Sequence, residues 1–98
     1  MKYVVFYEVT DEGIGLIPFH MAEHRVHWKA FAAAGTLLMV GPFANPRDGA
    51  MGVFKTREAA EAFATGDPFV RHGVVKKWRI MEWMEAVGPS RGDNVGSG

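Results

Sequence analysis

Apolar residues change their period along the chain, and each change marks an element. Residues 2–9, KYVVFYEV, are β-branched and aromatic and are followed by the turn-like TDEG, which predicts a strand. Residues 10–17 read as a loop. Pro18 suits a first helical position, where its missing N–H costs nothing, so a helix is expected from there to about Ala34, stopped by Gly35. TLLMVGPF is a second strand, NPRDG a turn and AMGVFKT a third strand. Thr56 can cap a second helix, REAAEAFAT, closed by Gly66. DPFVRHG reads as a compact linker, with Pro68 preventing helix continuation, and VVKKWRIMEWME as a long last strand.

The order β-α-β-β-α-β is the split βαβ plan of a ferredoxin-like sandwich, an α+β fold with both helices on one face of an antiparallel sheet. Such a sheet should alternate apolar and polar residues if its other face meets water. These strands do not alternate that way. Tyr3, Val5 and Tyr7 oppose Val4 and Phe6 in the first strand, and Trp78 and Ile80 oppose Met81 and Trp83 in the last. Two helices cover one face only, so a homodimer packed through the open sheet face is expected.

Composition adds exclusions more than assignments. The 98 residues suit one domain, placed at 1–86 with a flexible Gly/Ser-rich tail at 87–98. Lys+Arg and Asp+Glu balance at 11 each, and no basic block interrupts the chain, so nucleic-acid binding is not expected. With no cysteine, disulfides and thiolate chemistry are excluded. The N-terminal apolar run is too short for a signal peptide or a membrane span, which makes a cytoplasmic location the expectation. The tail holds Arg91-Gly92-Asp93, a tripeptide with cell-adhesion associations, but three-residue matches arise by chance.

Candidate chemistry centres on HMAEHRVHWKAF, with histidines at 20, 24 and 27. On a helix His24 lies within about 40° of both Trp28 and Phe31, in the middle of the bulky face. His20 and His27 lie toward one flank and read as helix-flank residues with one wet edge. Adjacent histidines can share a metal, but three spread over about 10 Å of helix axis cannot converge easily, and no nearby third ligand is evident. No metal site and no cofactor are expected. A buried imidazole needs polar partners, and Asp67, just past the second helix, is the candidate, since that plan lays the two helices side by side. Taken alone, Asp67-Pro68-Phe69 is also a plain turn.

His24 ahead of Gly35-Thr36-Leu37-Leu38, the Gly41-Pro42 turn, and Asp67-Pro68-Phe69 followed by Gly73 together resemble the YCII-related family of the dimeric α+β barrel group, over residues 1–85. The resemblance implies a ferredoxin-like homodimer with a His–Asp pair in a pocket, His24 taking the histidine position and Asp67 the aspartate. Such a pair would fix the tautomer, orient the ring and stabilise the imidazolium. Phe6, Met39, Phe69, Met81 and Trp83 are the candidate apolar walls for a small, flat ligand. No serine or cysteine sits in a nucleophile motif, so the reading is general acid/base chemistry of isomerase or lyase type. The alternative is a non-catalytic ligand-binding or accessory dimer. Haem or flavin monooxygenase chemistry follows only by analogy with the wider group.

Overall fold

The computed structural model describes residues 1–88, so Arg91-Gly92-Asp93 and the tail from 89 onward lie outside the described residues. Strand β1 (Lys2–Val9) leads into helix α1 (Asp11–Ala33), then β2 (Leu37–Pro42), a 3-10 turn (Pro46–Asp48) and β3 (Ala50–Phe54). Helix α2 (Arg57–Gly66), the one-turn helix α3 (Pro68–Arg71) and β4 (Val75–Trp83) complete the order. The sheet runs β2-β3-β1-β4 with every pairing antiparallel, which is the ferredoxin-like arrangement. Among the described residues no helix is long and apolar enough to cross a membrane.

Two boundaries differ from expectation, each for a local reason. Helix α1 starts at Asp11, not at Pro18. Thr10 is its N-cap, its side chain accepting from the Gly13 N–H at 3.0 Å, and Asp11 and Glu12 oppose the positive end of the helix. TDEG is therefore a helix start, and Pro18 sits inside the helix at the cost of one intrahelical bond. The 67–73 linker also contains helix. Pro68 stops α2 but opens α3 as its first residue, with Asp67 as the N-cap. Thr56 caps α2 as expected, accepting from Ala59 N–H at 3.1 Å, and Gly35 follows α1 at φ +82°.

The core lies between the sheet and the helices. Val5, Tyr7, Phe54, Phe63, Phe69 and Val74 form its buried centre. Ile17, Met21, Trp28 and Phe31 pack on it from α1, the stripe on which His24 falls, with Trp78 and Ile80 from β4. Cross-strand register carries each face across the sheet: Val5 pairs with Gly52 and Ile80, while Val4 pairs with Val53 and Met81. The face opposite the helices keeps Met39, Met81 and Trp83 at 49%, 37% and 42% exposure.

Candidate active site

Asp67 is the centre of the polar interior. It follows α2, where Pro68 forces residue 67 into extended backbone (φ −67°, ψ 125°) and turns its carboxylate back under α1. The side chain is completely buried. A carboxylate only accepts, so its three contacts fix the donors. Tyr7 Oη donates to Oδ2 at 2.7 Å, Phe69 N–H donates to Oδ1 at 3.0 Å, and His24 Nδ1–H donates to Oδ1 at 2.8 Å. Four elements thus meet at one side chain: β1, α1, the end of α2 and α3.

The same network sets the state of each partner. As the donor to a carboxylate, neutral His24 carries its proton on Nδ1, and among the described residues nothing bonds Nε2. Phe69 stacks on the imidazole with centroids 3.7 Å apart and planes 7° apart, so the ring is held in two directions. Burial, and next the neighbouring Asp67 charge and its hydrogen bond, push the Tyr7 hydroxyl far above the usual tyrosine range. Tyr7 is thereby kept a donor.

Beside this network is a cavity of about 510 Å³. Its walls are apolar: Val5 from the sheet, Ile17, Met21 and Trp28 from α1, and Phe63 and Phe69 from the α2–α3 end. His24 and Tyr7 line it as well, and so does Arg25, which is exposed and makes no ion pair among the described residues.

The sequence-nominated residues divide sharply. The structure brings His24, Asp67 and Phe69 together. Phe6, Met39, Met81 and Trp83 are on the other face of the sheet and do not line this cavity. Phe6 alternates with Val5 and Tyr7 and packs on Phe43 with centroids 5.7 Å apart. Met81 and Trp83 border a separate groove of about 270 Å³ with Val4. Met39 is turned outward by a β-bulge: Leu37 pairs with Phe54 but Met39 with Val53, so one extra residue reverses the alternation. Val40 takes the cavity position instead. Tyr7 and Arg25 are not among the residues that the sequence points to. Tyr7 had a usable signal, since a tyrosine on the helix-covered face must find a partner for its hydroxyl.

The other two helix histidines serve differently. His27 Nε2–H donates to the Phe63 carbonyl at 2.9 Å, tying α1 to the last turn of α2. A Cβ at Gly66 would come within 3.0 Å of the His27 ring, so the glycine makes room for that contact. Among the described residues His20 makes no such bond and stacks instead on His72, with centroids 4.3 Å apart.

No curated protein matches the chain. A solved structure similar to it is 5-chloro-2-hydroxyhydroquinone dehydrochlorinase from Burkholderia phenoliruptrix AC1100, in complex with 2,5-dihydroxybenzoquinone. The TM-score is 0.70 at 15% sequence identity, over 86% of this chain and 94% of that one. That likeness establishes a shared fold. The description of the YCII-related domain matches residues 1–84, and the chain belongs to that family.

Proposed function

We propose that the protein is a small-molecule enzyme in which His24 is the general base and Asp67 its orienting carboxylate, acting on small, flat, partly apolar substrates by isomerisation or elimination. The observation that carries this reading is the Asp67–His24 bond at 2.8 Å beside an apolar cavity. With the proton fixed on Nδ1, the Nε2 lone pair is the group free to take a substrate proton. Asp67 then stabilises the imidazolium, while Tyr7 and Phe69 N–H keep the carboxylate an acceptor. In an elimination the C–H or O–H pair moves into the substrate as the leaving anion departs, and the proton rests on Nε2. Arg25 at the cavity wall suits an anionic edge, such as a phenolate or the departing group. The fold-mate's named substrate, a chlorinated hydroxyhydroquinone, is of this size and shape and supplies the first compound to try.

The working unit in this reading is a cytoplasmic homodimer closed through the open sheet face. Support comes from Met39, Met81 and Trp83, which are left partly exposed on that face. Two experiments test the proposal. Chloride release from 5-chloro-2-hydroxyhydroquinone should be measurable with the wild type and abolished in a folded His24→Gln variant. Full turnover by that variant removes His24 from the chemistry, and a compound that is bound but never converted favours a ligand-binding role. Light scattering should give twice the chain mass, falling to one chain in Trp83→Glu; a monomeric wild type rejects the dimer.

A further inference from the structure

The three helix histidines are not equivalent, and the difference points to a second site. His24 and His27 each have a hydrogen-bond partner in the protein. His20 has none among the described residues, and its Nδ1 is buried without a partner. Leaving a buried ring nitrogen unpaired is unfavourable unless something binds it. The His20 ring stacks nearly parallel to that of His72, at an interplanar angle of 3°. Glu23 stands three residues further along α1 and so shares its face. One potential ligand atom from each of His20, Glu23 and His72 lies within 4.8 Å of the other two.

We propose that His20, Glu23 and His72 form a binding site for a borderline divalent cation such as Zn²⁺. Two imidazole nitrogens and one carboxylate suit Zn²⁺, Co²⁺, Ni²⁺ or Cu²⁺, whereas Mg²⁺ and Ca²⁺ demand shells of oxygen. Zn–N bonds of about 2.0–2.1 Å require the ligand atoms to draw closer than they stand now. Glu23 and His72 are exposed and free to do so, the stacked rings opening until their lone pairs converge. Three protein ligands leave the fourth tetrahedral position to water. His72 is the C-cap of α3 and Asp67 its N-cap. A bound ion would therefore clip the helix carrying His24 to the short element that begins at Asp67. No sequence spacing announces this set, because His72 is separated from the His20–Glu23 pair by most of the fold.

The test is calorimetric titration of the full chain, free of any affinity tag, with ZnCl₂, paired with thermal unfolding in its presence. The expected result is one saturable Zn²⁺ per chain and a midpoint that rises with Zn²⁺ by mass action. His20→Ala and His72→Ala should each weaken binding by more than ~100-fold, beyond the roughly 10–100-fold that loss of an outer-shell partner costs. His72 is exposed, so its variant should keep the wild-type circular dichroism, and His24→Ala should bind as the wild type does. The proposal is overturned if the folded chain takes up no Zn²⁺ saturably, or if His20→Ala and His72→Ala both retain full affinity. Loss of binding in His24→Ala with retention in His72→Ala also overturns it, placing the ion in the cavity.

Discussion

Replacing Asp67 with alanine removes three hydrogen bonds at once, and the structure allows the cost to be worked. The bond to Phe69 N–H is an N-cap, whose loss costs about 1 kcal/mol. The Tyr7 hydroxyl, buried without an acceptor, costs about 1–3 kcal/mol. The His24 side chain is 13% exposed, so its Nδ1–H recovers part of its loss from water. Relief from burying a carboxylate offsets about as much as the His24 bond adds, leaving about 2–4 kcal/mol. At about 4–8 °C per kcal/mol for a domain of this size, the unfolding midpoint should fall by at least about 8 °C. Asp67→Asn is the control. Its amide oxygen can still accept from His24 and Phe69, and its NH₂ can donate to a rotated Tyr7 hydroxyl, so it should cost about 1–2 kcal/mol. Urea unfolding followed by tryptophan fluorescence should rank wild type above Asn above Ala. An alanine variant within about 1 kcal/mol of the wild type would refute Asp67 as the hub of the interior.

Two further outcomes follow from the electrostatics. The Tyr7 hydroxyl is raised in the folded state, so its contribution is complete below the unfolded value of about 10 and is lost as pH rises beyond it, because only the unfolded chain gives up that proton. Tyr7→Phe should therefore lose stability at neutral pH but show a shallower alkaline decline than the wild type, as read by unfolding midpoints across that range; identical slopes would contradict this. Glu85 is lowered to about 2, first by the hydrogen bond from Lys2 and then by its own backbone N–H, with the N-terminal ammonium nearby at 3.2 Å. Its contribution is present above the ordinary glutamate value and fades as pH falls toward 2, and Lys2→Ala should move its NMR titration upward; an unmoved titration would show that Lys2 is not the main cause.

The sequence carried the fold further than the cavity. Element order followed from changes of period, and the sheet faces from two-residue alternation, which places Val5 and Tyr7 opposite Val4 and Phe6. The start of α1 was readable in Thr10, Asp11 and Glu12, yet Pro18 outweighed it because proline favours helix starts more visibly than it tolerates interiors. The His24–Asp67 contact needs only helix positions and a proline-stiffened corner, both local. Cavity walls are harder to read, because they depend on which sheet face the helices cover and on register. Alternation alone cannot say that Phe6, Met81 and Trp83 are turned away from α1. The bulge between Leu37 and Met39 shifts a whole strand by one position and leaves no mark in the residue pattern. The meeting of His20 with His72 is likewise tertiary.

The general-base role of His24 depends most on where its ring proton resides. Long-range ¹H–¹⁵N correlation of the His24 ring, recorded on the folded wild type in mildly alkaline solution, reads this without any substrate. The pattern predicted is a protonated Nδ1 and a bare Nε2, lost when Asp67 is changed to alanine. A proton found on Nε2 with Nδ1 bare would mean that the ring does not donate to Asp67, and that the lone pair is on Nδ1 and not on the Nε2 assigned as the base.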